Sequence, residues 1–368
     1  MSPLPPPPRL LSELVAIPSP SGDEGVSADY LADAAAAAGL DVERVGASVL
    51  CALEGDGPTF FLNTHHDTVP VGEGWDSDPL DPAWHGEGAG ARLIARGAND
   101  AKASVAAMLT AAAGFARTPR AERRGTLLLA VTAAEETTNA GMGAVLQRLT
   151  ERGIAPDGAV TGEPTDLEVV RAQSGLCVLE ATWTGVSCHA AHVARVANRS
   201  ALAAAAREVA QLPPYFTLDG AHPLLGESTL VATVLTAGER HNKIPDHALC
   251  VFDGRIAPPH SAEDCLALLA EHLPGAELRV RSDRLRPVET PAAHGLVRAA
   301  LAATGRGAAI GSSTMSDMAL LAGLPAVKCG PGKTARSHTP NEFLVRSELD
   351  EACAAYGALI PAALEALA

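Results

Sequence analysis

The chain has 368 residues, 47% of them hydrophobic, and a formal net charge of −15. That length buries a full core and accommodates two domains. The acidic balance argues against a nucleic-acid partner or an anionic membrane surface, both of which need clustered Lys and Arg. Seven scattered cysteines without a CxxC pair argue against a disulfide framework or a structural zinc knuckle and fit reduced thiols in a cytoplasmic protein. The start, "MSPLPPPPRL", has no basic region followed by an apolar segment, so no signal peptide is read.

After the Pro-rich start, "RLLSELVAI" predicts a helix stopped by Pro18. A second helix is expected from Ser21, which has capping-box spacing to Glu24, with Gly39 as its stop. "TFFLNTHH" reads as a buried strand and "AKASVAAMLTAAAGFA" as a buried helix too short to span a bilayer. "TLLLAVTAAEE" is an apolar strand ending in two acids, "AGMGAVLQRL" a helix, and "DGAVTGEP" a short strand ending at Glu163 and Pro164. This alternation predicts an α/β layer on a largely parallel sheet.

The pattern changes near Ser174. The strand "LCVLEATWTGV", helix "RSALAAAAREVAQL", strands "STLVATVLTAG" and "ALCVFDGRIAP", helix "SAEDCLALLAEHL" and strand "AELRVRSDR" make the order βαββαβ, a complete ferredoxin-like unit. The α/β layering resumes with helix "HGLVRAALAAT", strand "PAVKCGPG" and a C-terminal helix. The expected fold is therefore an α/β domain, a mostly parallel or mixed sheet flanked by helices, split by an insertion. The expected boundaries are 1–173 and 287–368 for the split domain and 174–286 for the inserted one.

Ligands collect at strand ends in open α/β sheets. Here the strands end at His65, Glu135–Glu136 and Glu163. Asp100 precedes a helix in "RGANDAKAS", and His338 follows a strand in the Gly-rich "GPGKTARSHTPNE". Two histidines and several carboxylates without a thiolate suit a catalytic Zn²⁺, Co²⁺ or Mn²⁺ better than a closed structural zinc. Each residue also has an ordinary reading: solvated acids for Glu135 and Glu136, a turn acid for Glu163, a helix cap for Asp100, a loop histidine for His338. The doubled His65–His66 raises its own question. Neighbours on a strand point to opposite faces, and His65, not His66, shares its face with Asp67.

The stretches "THHDTVP", "RGANDAK", "AEE", "GEPT" and "GPG…SHTPNE", in this order around a βαββαβ insertion, resemble the five motifs of the di-zinc amidohydrolases and exopeptidases. That family includes acetylornithine deacetylase, succinyl-diaminopimelate desuccinylase and several carboxypeptidases. The resemblance implies two divalent metal ions, most naturally Zn²⁺. His65 would bind one and His338 the other, with Asp100 bridging and Glu136 and Glu163 each completing one shell. It implies Glu135 as the proton carrier, and Asp67 as the acceptor of the free His65 imidazole N–H, fixing tautomer and orientation. In the insertion, "TGVSCHAAH" would supply His189 as an oxyanion donor, "HNKIPD" Asn242 as a substrate contact, and "DGR" Arg255 as a clamp on the substrate α-carboxylate. The ordinary reading of His192 is an exposed or capping histidine, and that of Arg255 an ion pair with Asp253. A homodimer through the inserted domain is also implied. The chain departs from the family pattern at Thr64, at "DAKAS" and at Ala134, which puts the pocket shape, not the ligand set, in doubt.

Within the family, "HHDTV", "HNxxPD" and "ARSHT" look most like acetylornithine deacetylase, giving N-acetyl-L-ornithine hydrolysis in arginine biosynthesis as the expected reaction on an Nα-acyl amino acid. The alternatives are N-acetyl-citrulline or N-acetyl-lysine, carrier-protected lysine, succinyl-diaminopimelate in lysine biosynthesis, a dipeptide, or a non-catalytic metal-binding protein on the same fold.

Overall fold

A computed structural model describes residues 4–368. The chain divides into two compact units: Met1–Arg171 with Glu289–Gly311 and Ser316–Ala368, and Ala172–Val288 with Ser312–Met315.

The first unit is built on a nine-stranded mixed sheet. Its centre is parallel, in the order Thr126–Thr132, Thr59–His65, Gly158–Thr161, Ala326–Lys328. A hairpin of Asp41–Val45 and Ser48–Leu53 extends one side antiparallel. Strands covered on both faces read as continuous apolar runs. Phe60, Phe61 and Leu62 are accordingly fully buried. The helix Lys102–Ala116 is buried over most of its length and packs against Arg346–Leu367 and Pro7–Val15. Its alanines and Ser104 let backbones approach closely. A Cβ added at Gly330 would meet Ser104 Oγ at 2.7 Å and Glu163 O at 2.6 Å.

Helix ends leave carbonyls without partners. At the end of Pro7–Val15 the buried Lys102 supplies donors, its Nζ reaching Leu14 O at 3.0 Å and Ile17 O at 2.9 Å. The second helix begins at Gly25, not Ser21, and has no side-chain cap. Ser21 lies ahead of the helix start, and its hydroxyl donates to Asp67 Oδ2 at 2.6 Å.

The second unit is an antiparallel sheet, in the order Phe216–Thr217, Thr229–Ala237, His247–Ile256, Gly175–Thr184, Glu277–Leu285. Its four long strands follow the ferredoxin-like order. Two helices cover it: Ala201–Val209, capped by Ser200, and Ala262–His272, with a Ser261–Asp264 capping box. Trp183, Phe252, Cys177 and Cys265 lie in its core. Along Thr229–Ala237 the pattern fails. Ala232 to Thr236 are exposed, including Val234 at 47% and Leu235 at 45%. Among the described residues this part of the strand pairs on one side only, with His247–Ile256. No helix among the described residues is long and apolar enough to cross a membrane.

Candidate metal centre

Three adjacent parallel strands stop close to one another: His65 is opposite Thr132, and Thr161 stops opposite Asn63. The loops leaving these strands, and the one after Ala326–Lys328, therefore meet at one sheet edge. Two groups of ligand-type side chains form there and share Asp100. His65, Asp100 and Glu163 make one, and Asp100, Glu136 and His338 the other, with the candidate ligand atoms of each within 4.8 Å of one another. His65 Nε2 lies 3.2 Å from Asp100 Oδ1 and 3.9 Å from Glu163 Oε1. His338 Nε2 lies 2.9 Å from Glu136 Oε2 and 3.6 Å from Asp100 Oδ2.

The donor set fits divalent cations. His65 Nδ1 sits 3.0 Å from the Asp67 carbonyl, so the neutral ring donates there and turns the Nε2 lone pair towards two carboxylates. Lone pairs facing one another are stable only with a proton or a cation between them. Glu163 Oε1 is buried without a hydrogen-bond partner, as expected of an oxygen meant for an ion. Without a cation the same crowding appears as proton uptake. Burial pulls the His65 imidazole down, but its hydrogen bonds to Asp100 and Asp67 and the charges of Glu163 and Glu135 carry it well above its ordinary value. Burial, against the pull of His65 and with the charge of Asp100, pushes Glu163 up to about 8. For Asp100 burial is outweighed by His65, and its carboxyl is lowered. The hydrogen bond to Glu136 raises His338 against its burial.

Glu135 belongs to neither group. Burial raises its carboxyl well above the ordinary value, with Glu163, Asp317 and Glu136 adding to the rise and His65 opposing it. Its backbone N–H donates to Asp67 Oδ1 at 3.0 Å, and that of Glu136 to Asp67 Oδ2 at 3.2 Å. Asp67 thus has a wider task than the sequence suggests. Its carboxylate is 3.4 Å from His65 Nδ1, further than its own carbonyl, and mainly clamps the turn that presents the two glutamates. Burial works against the charge on Asp67, but His65, Ser21 and the Glu135 N–H hold it well below the usual carboxylate range. His66 points away, its Nδ1 2.6 Å from Ser27 Oγ and its Nε2 3.0 Å from Ala47 O. Burial pushes its imidazole down to about 4, so it is neutral.

Several residues that support this edge have no role there that the sequence shows, including Glu24, whose spacing suggests a capping box. Glu342 Oε1 accepts the N–H groups of Asn99 and Asp100, both at 2.9 Å, while its Oε2 is 2.6 Å from Arg96 Nη1. Glu342 closes the "SHTPNE" stretch, but nothing in the stretch names its partner. Glu24 Oε1 accepts the N–H of Ala134, which has a left-handed backbone at φ 56°. Asp317 and Asn139 lie behind Glu135. Burial lowers the Lys328 ammonium, with Glu163, Glu135 and Asp100 opposing.

The second unit carries the remaining expected site residues. His189 is exposed, its Nδ1 accepting the Ala191 N–H at 3.1 Å, and its ring centroid is 5.7 Å from that of His192. Asn242 is exposed, and its carbonyl accepts the Ala190 N–H at 2.9 Å. The Arg255 guanidinium is engaged by Asp253, with Nε 2.8 Å from Oδ1 and Nη2 3.3 Å from Oδ2.

Residues 61–362 match the model of peptidase family M20/M25/M40. A succinyl-diaminopimelate desuccinylase of Paracoccus denitrificans is 33% identical over 277 residues, 72% of this chain and 70% of that protein. One of Rhizorhabdus wittichii is 31% identical over 291 residues, 73% of this chain and 74% of that protein. These relatives give no support to the nearness to acetylornithine deacetylase that the motif details suggest. Among solved structures, a dinuclear metal binding peptidase from the M20 family of Bacillus subtilis superposes with TM-score 0.72 at 19% identity, covering 97% of both chains. An M20 family metallo-carboxypeptidase of Sulfolobus solfataricus gives 0.71 at 18%, covering 97% of this chain and 98% of that one. With the motifs, the strand-end site and the two-unit architecture in agreement, the chain belongs to peptidase family M20/M25/M40.

Proposed function

We propose that the protein hydrolyses the linear amide of an N-acyl amino acid at a centre of two divalent cations, most naturally Zn²⁺, with N-succinyl-diaminopimelate the first substrate to expect. The observation that carries this is the pair of ligand-type groups sharing Asp100, with the half-buried carboxyl of Glu135 beside them and belonging to neither. His65 and Glu163 would hold one ion, Glu136 and His338 the other, and Asp100 both. Cations there would supply Lewis acidity, polarising the amide carbonyl and making water a better nucleophile. Glu135 takes the proton of the attacking water and passes it to the leaving nitrogen, a task suited to a carboxyl whose affinity for protons is raised. Asp67 keeps the Glu135–Glu136 turn and the His65 ring in place.

The substrate preference rests on relatives of 31% and 33% identity that carry the desuccinylase name. It replaces acetylornithine as first choice. In the second unit, Arg255 would take the substrate carboxylate, leaving Asp253 to do so, with Asn242 and His189 as polar contacts to substrate and oxyanion. The exposed, one-sided strand at Val234 and Leu235 supports a homodimer through this unit, since an open apolar edge pairs readily with its own copy. Seven free thiols support a reducing cytoplasmic setting.

The test is zinc-loaded protein against N-succinyl-diaminopimelate, N-acetyl-ornithine, N-acetyl-citrulline, N-acetyl-lysine and several dipeptides, with free amine measured. The succinyl substrate should give the highest kcat/KM. Release of amine from none of them would end this reading.

A further inference from the structure

Behind Glu135 lies a buried polar cluster that neither ligand group uses. Asp317 is 1% exposed. Its Oδ2 accepts from Thr132 Oγ1 at 2.7 Å and from Asn63 Nδ2 at 3.4 Å. Its Oδ1 accepts from Asn139 Nδ2 at 3.0 Å, and the same nitrogen lies 3.4 Å from Glu135 Oε1. The Asn139 amide nitrogen therefore stands between two carboxylates and has one hydrogen for each. With both acids ionised, an amide turned over would aim its oxygen at each of them, so the nitrogen faces the pair. Asp317 cannot turn away, because Thr132 and Asn63 hold its other oxygen. The Asn139 backbone is fixed as well. It is left-handed at φ 53°, which Asn tolerates better than most residues, and its N–H donates to Ala134 O at 2.7 Å.

We propose that Asp317 and Asn139 are positioning residues for the proton carrier: Asp317 orients the Asn139 amide, the amide holds Glu135 Oε1, and Glu135 Oε2 is left as the oxygen that exchanges the proton. This rests on the role of Glu135 given under Proposed function. The other way to account for the cluster is a purely structural tie between the strands of Asn63 and Thr132 and the segment Asp317–Leu321, which would affect folding and not proton transfer.

The test uses the full-length, zinc-loaded protein and four variants: Asn139→Gly, Asp317→Asn, and each of these in a Glu135→Gln background. Glycine accepts φ 53° without strain while deleting the amide. Each single variant should lower kcat about 10- to 100-fold, the scale of a slightly misplaced reacting group, with KM and zinc per chain unchanged. Neither should slow the residual turnover of the Glu135→Gln enzyme further, because the group they position is already gone. Crystals of the metal-free protein read the positioning directly. The Glu135 carboxylate should take one orientation in the wild type and several in Asn139→Gly. Unchanged kcat, equal losses in both backgrounds, loss of zinc together with kcat, or a Glu135 that stays fixed in Asn139→Gly would each overturn the proposal. If Asp317→Asn does not fold, the Asn139→Gly pair decides alone. If the wild type hydrolyses no acyl amino acid, the functional reading fails, and the crystal comparison still settles the positioning.

Discussion

Replacing Glu342 probes how the metal edge is held. Its carboxylate is 1% exposed and makes three short contacts: the N–H groups of Asn99 and Asp100 on one oxygen, and Arg96 on the other. Glu342→Ala leaves Arg96, whose side chain is 5% exposed, beside a cavity and strips two buried N–H groups of their acceptor. Breaking one side of a buried ion pair costs about 3–5 kcal/mol. Each orphaned N–H costs about 1–3 kcal/mol. These penalties overlap, and Arg96 keeps Val71 O and the Trp75 ring, so about 3–5 kcal/mol is expected in all. Burial and the charge of Asp100 push the Glu342 carboxyl up to about 7, so a neutral replacement that keeps an acceptor should be tolerated much better. Glu342→Gln should therefore cost about 1–2 kcal/mol, one lost charge-assisted bond. Urea unfolding of the two variants measures the difference. Because Asp100 hangs from Glu342 through its backbone, zinc affinity should also fall about 10- to 100-fold in the alanine variant. An alanine variant with wild-type stability and zinc affinity would refute the reasoning, as would equal losses for Ala and Gln.

The two neighbouring histidines should separate cleanly. His65→Ala should lose zinc binding, whereas His66→Gln should keep it. His66 also sets a pH limit. It is neutral when folded, with its imidazole at about 4 against 6.5 when unfolded, so below pH 6.5 the unfolded chain gains a proton that the folded chain refuses. Its contribution is intact above pH 6.5 and falls by up to about 3 kcal/mol as pH drops towards 4, and denaturation of His66→Gln should show a shallower acid limb. Glu135→Gln should retain zinc while losing about 100- to 10,000-fold in kcat, and retained turnover would sink the proton-carrier role. Gly332→Ala combines a φ of 80° with a Cβ that would meet Asn99 Oδ1 at 2.2 Å. It should displace the loop that carries His338 and reduce bound zinc per chain, checked by metal analysis. Val234→Lys should convert a wild-type dimer to a monomer in analytical ultracentrifugation, and a monomeric wild type would contradict the edge-pairing reading.

What was legible in the sequence follows its physics. The apolar strands could be read because hydrophobic patterning marks them, and a parallel sheet aligns their ends. Only Thr59–His65 stops on its ligand-type residue, whereas the strands before Glu135 and Glu163 end at Thr132 and Thr161, so both acids stand in the loops just beyond. The βαββαβ order of the second unit was readable for the same reason. What could not be read depends on contacts between residues far apart in the chain. Ser21 has the spacing of a cap, but the helix begins at Gly25 and the Ser21 hydroxyl serves Asp67, 46 residues later. By contrast the Arg255–Asp253 pair, two residues apart, was open to a sequence reading as the ordinary alternative to a substrate clamp. Asp317 lies 178 residues from Asn139 and carries no pattern in "STMSDMALL", so only the folded chain shows it behind Glu135.

The central claim is that this sheet edge holds two ions around one shared aspartate. Anomalous diffraction at the zinc edge, from crystals of the zinc-loaded protein, tests it most directly. The account predicts two peaks about 3.5–4 Å apart, one against His65 and Glu163, the other against Glu136 and His338, both against Asp100, with His66 on neither. A single peak, or one touching His66, would contradict it.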